Sequence, residues 1–300
     1  MNRTAARLPA YLFILLACVQ VSAQNGDFDD VEIQAEAVTP GIYMLTGQGG
    51  NIGVSVGDDG VFIIDDQFAP LTEKILTAIA ELSDKPVDFV INTHWHGDHS
   101  GGNENLAGEG ARIVAHDNVR SRMSIENNSR FDGTTVPPSP AAALPVITYS
   151  QTMALHLNGN KVDIIHQENA HTDGDSIIYF REANVIHAGD LFFNGIYPFI
   201  DTNSKGSING MIDGAKKMLG MANANTRIIP GHGPLASKQD LQTYHDMLVT
   251  YRANVKKLVD EGKSLDDIKK LKPNAALDEQ YGQAFISPDF FVELVYESLN

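Results

Sequence analysis

The segment Thr93-His94-Trp95-His96-Gly97-Asp98-His99-Ser100-Gly101-Gly102 puts three imidazoles and a carboxylate within six positions. Imidazole is the common side-chain ligand of zinc and carboxylate its usual oxygen partner, so these residue types point to a metal centre. A single histidine is most often structural, but packing does not account for a cluster of this density. His94 and His96 stand two apart, so an extended backbone turns both to one side. Asp98 and His99 lie beyond Gly97, where the chain can turn and present ligands to a second ion. Gly101 and Gly102 let the backbone pass close to the ions and enter a helix.

This run resembles the His-x-His-x-Asp-His motif of the metallo-β-lactamase superfamily. Three later segments resemble the family's other motifs, in family order: Ala170-His171-Thr172-Asp173-Gly174-Asp175, His187-Ala188-Gly189-Asp190 and Pro230-Gly231-His232-Gly233. The resemblance covers about Gly41 to His232. It implies an α/β fold, the four-layer αβ/βα sandwich, with two zinc ions at one edge between two sheets. It also implies that His94, His96 and His171 hold the first ion and that Asp98, His99 and His232 hold the second, with Asp190 between them. Three protein ligands and an open position are the arrangement of catalytic rather than structural zinc. A pair of such ions shares a hydroxide of pKa about 7, which attacks a carbonyl while the second ion stabilises the leaving atom. Asp98 has a second expected role, orienting that hydroxide.

The exported members with these motifs resemble class B β-lactamases, so a β-lactam-type cyclic amide or ester is the leading substrate. Many class B enzymes bind the second zinc through cysteine and carry a lysine three positions later. Here those positions are Asp190 and Phe193. Aspartate there looks more like the thioesterase and lactonase branches, glyoxalase II and acyl-homoserine lactonases. Two further alternatives are an iron-dependent oxidoreductase and an accessory protein of a quinoprotein system. The flavodiiron pattern, however, has glutamate where His96 stands. The run Phe192-Phe193-Asn194-Gly195-Ile196-Tyr197-Pro198-Phe199 reads either as a pocket wall for an apolar substrate or as core. Gly47-Gln48-Gly49-Gly50 suits a mobile loop over the metals. Asp65 or Asp66, at a strand end, is a candidate partner for a ligand histidine. His116, His156, His166, His187 and His245 match no motif and read as surface or hydrogen-bonded structural residues.

The elements that must position these groups follow from periodicity and turn residues. Short strands are predicted at Val31 to Val38, Ile42 to Leu45, Asn51 to Val56, Val61 to Ile64 and Val87 to Ile91. Others are predicted at Arg112 to Ala115, Met153 to Leu157, Val162 to His166, Ser176 to Phe180, Val185 to His187 and Arg227 to Ile229. Helices are predicted at Leu71 to Leu82, Asn118 to Glu126, Ile208 to Met221 and Lys238 to Glu261, and Phe131 to Pro145 reads as a surface loop. Strands then helix, followed by strands then helices, describe a layered α/β fold with two similar halves and further helices at the C-terminus.

With 43% hydrophobic and 20% charged residues the chain can bury a proper core. A net charge of −16, from 38 acidic and 22 basic residues, disfavours nucleic-acid partners. The expected partner is a small-molecule substrate. Arg3 and Arg7, the apolar run Ala10 to Val19 and Val21-Ser22-Ala23 have the order of a signal peptide cleaved after Ala23. That leaves residues 24–300 as one domain in the periplasm or medium. The single cysteine, Cys18, lies inside this segment within Leu15-Leu16-Ala17-Cys18, a lipobox-like sequence that offers lipid anchoring as the other route.

Overall fold

The computed structural model describes residues 28–299, so the segment expected to be a signal peptide, with Cys18, lies outside the described residues. From Val31 onward the chain forms one compact unit. Its first sheet runs in the order β1 (Gln34–Thr39), β2 (Ile42–Thr46), β3 (Ile52–Gly57), β4 (Gly60–Ile64), β5 (Val87–Ile91), β6 (Arg112–His116) and β9 (Ile147–Tyr149). Between β6 and β9, β7 (Asn127–Asn128) and β8 (Thr135–Val136) make a separate hairpin. The second sheet runs β10 (Thr152–Leu157), β11 (Asn160–His166), β12 (Ser176–Phe180), β13 (Val185–His187), β14 (Arg227–Ile229) and β15 (Ala236–Ser237).

The two sheets face each other through apolar side chains. Met44, Phe62, Ile64, Ile91 and Val114 from the first meet Val162, Ile164, Ile178, Phe180 and Ile229 from the second. The Phe62 and Phe180 rings stack with centroids 5.9 Å apart. Alternation decides which way each residue points: Ile178 and Phe180 face the other sheet, whereas Ile177 and Tyr179 join the helical layer behind. Covered on both faces, β12 is wholly buried and has no polar side.

Helices close both outer faces, giving the four-layer αβ/βα sandwich. On the first sheet, α1 (Thr72–Ala80) is the crossover between parallel β4 and β5, and α3 (Asn103–Gly108) and α4 (Asp117–Met123) pack on β5 and β6. The short α2 (Gly97–Ser100) carries part of the histidine cluster. Behind the second sheet lie α5 (Ile208–Met221), α6 (Lys238–Asp260) and α9 (Pro288–Leu299), joined by α7 (Leu265–Leu271) and α8 (Ala275–Tyr281). Helix α6 starts at a capping box in which Ser237 and Asp240 satisfy each other's backbone N–H. Among the described residues no helix is long and apolar enough to cross a membrane.

The structure departs from the predicted elements mainly at ends. Helix α4 stops at Met123 rather than Glu126, and the first strand starts at Gln34 rather than Val31. Strands β9 and β15 are too short for alternation to mark them. The segment Phe131 to Pro145 is not only a loop, because it contains β8 and a turn of 3₁₀ helix at Ala141–Ala143.

Candidate metal centre

Parallel pairing gathers the chemistry at one edge. Strands β4, β5 and β6 are mutually parallel, as are β13 and β14. Their C-terminal ends therefore open on the same side. Asp65 follows β4, His94 to His99 follow β5, His171 follows β11, Asp190 follows β13 and His232 follows β14.

All seven residues expected from the motifs converge there. His94, His96 and His171 offer ligand atoms within 4.8 Å of one another, and so do Asp98, His99 and His232. Asp190 lies between the two groups. Its Oδ2 is 3.9 Å from His94 Nε2 and 3.4 Å from His171 Nε2. Its Oδ1 is 3.0 Å from His99 Nε2 and 3.4 Å from His232 Nε2. Asp98 Oδ2 is 3.4 Å from His232 Nε2 and 3.6 Å from His99 Nε2.

The outer nitrogens of four rings are held by the protein, and their partners determine the tautomers. His171 Nδ1 is 2.8 Å from the Phe199 carbonyl, which only accepts, so this nitrogen carries the proton. His96 Nε2 donates to Asp201 Oδ2 at 3.0 Å, and His99 Nδ1 donates to Asp65 Oδ2 at 2.7 Å. Thr93 Oγ1 donates to Asp65 Oδ2 and so accepts from His94 Nδ1, at 3.0 Å. Without a second proton, the inner nitrogens of these rings are lone pairs aimed into one small space. His96 Nδ1 and His171 Nε2 stand 2.8 Å apart, and the buried His94 Nε2 makes no hydrogen bond at all. Lone pairs so close repel unless a cation lies among them. The donor set thus fits two metal ions, each imidazole braced from behind in the way metal-binding histidines are.

The electrostatics agree. Burial and the neighbouring imidazoles hold His94 well below the ordinary histidine range, and burial holds His171 down to about 4. Burial opposes protonation of His99 and His232 as well. The carboxylates of Asp190 and Asp98 outweigh it, raising His99 and taking His232 up to about 9. Burial alone would raise Asp98, yet His99 and His232 keep it down to about 2. These carboxylates draw positive charge to the centre, the field a divalent cation would meet.

Of the two candidate aspartates, Asp65 stands behind a ligand histidine, and Asp201 and Thr93 extend the list. Asp65, at a left-handed turn (φ 64°), serves His99 and Thr93 with both oxygens. Asp66 instead accepts from Gly102 N–H at 2.9 Å and fixes the chain after α2. Asp201 and Thr93 carried no sequence signal for a supporting role. Asp201 sits in the turn after Phe199, and only the fold brings it to His96. The remaining histidines stay outside. His187 is buried, donating to the Asn51 carbonyl and accepting from Gly189 N–H. His116 and His166 stack on each other at 3.6 Å with both nitrogens of His116 and Nδ1 of His166 hydrogen-bonded, His156 is exposed, and His245 pairs with Asp246.

The aromatic run divides between the two roles expected of it. Phe193 stacks on His232 at 5.1 Å, and with Phe199 it lines the adjoining cavity. Phe192 packs on Tyr244, and Tyr197 on Tyr251 and Phe291, inside the helical core. In the glycine loop, Gly50 N–H donates to Asp98 O and the Gly50 carbonyl accepts from Gln67. A Cβ there would stand 2.1 Å from His99 Cε1, so glycine at this position serves close approach rather than motion.

Comparison with known proteins gives one consistent answer. The family model for the metallo-beta-lactamase superfamily matches residues 45–270. The hydroxyacylglutathione hydrolase of Nitrosococcus oceani is 27% identical over 167 residues, 54% of this chain and 55% of that protein. The chain spans about half the length of the first curated relatives it matches. Among solved structures, a metallo-beta-lactamase from Pontibacter korlensis superposes with a TM-score of 0.60 at 15% identity, covering 72% of this chain and 99% of that one. A stereoselective inverting sec-alkylsulfatase from Pseudomonas sp. gives 0.66 at 16% identity, covering 88% of this chain and 50% of that one. At such identities the two structures speak for the fold alone.

Proposed function

This chain belongs to the metallo-β-lactamase superfamily, whose members are metal-dependent hydrolases, and on that footing we propose that it hydrolyses a cyclic amide or ester, of which the β-lactam ring is the leading example, at a centre of two zinc ions. The observation that carries this reading is the set of four imidazoles whose outer nitrogens are tied down while their lone pairs converge with Asp98, Asp190 and His232. His94, His96 and His171 would hold one ion, Asp98, His99 and His232 the other, with Asp190 serving both. Zinc bound there supplies Lewis acidity and a water of lowered pKa.

The protein's own groups do the rest. Asp98, half-buried and lining the cavity, stays ionised because His99 and His232 flank it. Its carboxylate accepts a hydrogen bond from the attacking water and turns a water lone pair toward the carbonyl. Trp95 and Phe199 flank His96, with ring centroids 4.8 Å and 5.8 Å away, and keep bulk water off that side. The purified protein is expected to carry close to two zinc ions, and the His94→Ala, His96→Ala double variant to lose turnover by about a thousandfold or more. Full activity in that variant with the metal gone would end the proposal.

A thioester is the second reading. It is favoured by the similarity over 167 residues to a protein named hydroxyacylglutathione hydrolase. A screen of lactams, lactones and thioesters with zinc-loaded protein separates the two by their relative kcat/KM.

A further inference from the structure

The cavity beside the centre, about 850 Å³, is far larger than a single carbonyl needs. One wall is a continuous line of rings. Phe193 stacks on His232, Phe285 lies 5.6 Å from His232 and 6.3 Å from Phe193, and Phe131 lies 6.3 Å from Phe285 and 5.7 Å from Phe199. Phe131 sits at the tip of the β7–β8 hairpin and Phe285 between α8 and α9. They are 49% and 48% exposed, although both line the cavity. Two phenylalanines from distant segments, half-bare and facing the same space, are unfavourable in water unless an apolar group covers them.

Charge narrows the class further. The guanidinium groups lining the cavity are those of Arg122 and Arg130. Arg122 donates to both oxygens of Asp173 at 2.8 and 3.1 Å, and Arg130 to both of Glu297 at 2.7 and 3.1 Å. Besides Asp98, Asp190 and Asp201 at the centre, the cavity's other charged lining residues are Glu104 and Asp132, both acidic. Among the described residues, then, the lining holds no cation without a carboxylate partner to receive an anionic substituent.

We infer that Phe131 and Phe285, together with Phe193 and Phe199, select a substrate bearing an uncharged hydrophobic acyl group, and that the acidic lining rejects one bearing a carboxylate at that end. The inference rests on carbonyl hydrolysis at the adjoining centre and names the substrate class for it.

The test uses the zinc-loaded full chain and three p-nitrophenyl esters sharing one leaving group: 4-phenylbutyryl, butyryl and glutaryl. The 4-phenylbutyryl ester is expected to exceed the butyryl ester about tenfold in kcat/KM, the size of aromatic contacts of this kind. The glutaryl ester is expected to fall about tenfold below the butyryl ester. Replacing Phe131 and Phe285 by alanine should erase the phenylbutyryl preference through KM, and replacing both by leucine should retain part of it. A binding readout stands apart from turnover, because Trp95 is the only tryptophan and lines the cavity. Neutral 4-phenylbutyramide should change its emission, with about tenfold weaker affinity in the double alanine variant. Equal rates for the three esters, or a preference for the glutaryl ester, overturns the inference and leaves hydrolysis standing. Amide binding that depends on both phenylalanines, with no ester turned over, overturns hydrolysis and upholds the selectivity. Amide binding indifferent to both residues overturns the selectivity.

Discussion

His99 illustrates how the centre works residue by residue: one nitrogen is tied to Asp65 and the other is left for the ion. The same carboxylate reaches His94 through Thr93, so one buried aspartate orients donors for both metal positions. Asp65→Asn removes the charge with little change of shape and presents an amide where a carboxylate accepts three hydrogen bonds. Zinc affinity, measured against a competing chelator, is expected to fall about 10- to 100-fold; unchanged affinity would show that the brace is dispensable. His187 gives a pH prediction that needs no metal. Burial holds it down to about 4, against an ordinary value of about 6.5. The folded state thus favours the neutral ring. Its contribution to stability is whole above pH 6.5 and is lost as pH falls from there through 4. In urea unfolding, the advantage of the wild type over His187→Gln should shrink by up to about 3 kcal/mol between pH 7 and pH 4. Parallel pH profiles would contradict the assignment of a buried neutral ring.

At the level of elements, the ligands stand on loops and short helical turns that follow strand ends and inherit rigidity from the strands. The loop between β2 and β3 shows how little slack remains. Gly50 passes against the His99 ring, and Asn51 N–H donates to the Gly231 carbonyl beside His232. Gly50→Ala would force the ring aside, since its Cβ would lie 2.1 Å from His99 Cε1. The expected result is a loss of zinc from one of two positions and at least about a tenfold fall in kcat. Gly108→Ala, at the end of α3 with nothing within 4 Å of the added atom, serves as the control. It should be neutral, or stabilising by about 0.5 kcal/mol. Equal losses in both variants would mean that the close approach at Gly50 does not matter.

Across the whole molecule, the centre joins the two sheets. His94, His96, Asp98 and His99 belong to the first half, and His171, Asp190 and His232 to the second. On the proposed reading, ions held by both halves would stabilise only the folded state, so chelation should lower the melting temperature by several degrees as well as stop turnover. A melting temperature indifferent to chelator would deny that the ions bridge the halves. Much of this was readable along the chain. Strands β5, β12, β13 and β14 and helix α5 have their predicted bounds, because each is either a short apolar run closed by turn residues or a strongly amphipathic helix. The cluster from His94 to His99 was readable because metal chemistry demands particular side chains at close spacing, and His171, Asp190 and His232 were readable only through the resemblance of their segments to the superfamily's motifs. Partnerships across long stretches of chain were not, because nothing local requires them. Asp201 beneath His96, the opposite fates of Phe192 and Phe193, and the meeting of Phe131 with Phe285 depend on which strand ends share an edge and which faces point inward. The dense spacing of His94 to His99, with the motif resemblance of the later segments, points to the groups that can bind a metal. The packing of two sheets and their covering helices settles which groups stand behind those ligands and which rings are left facing the cavity.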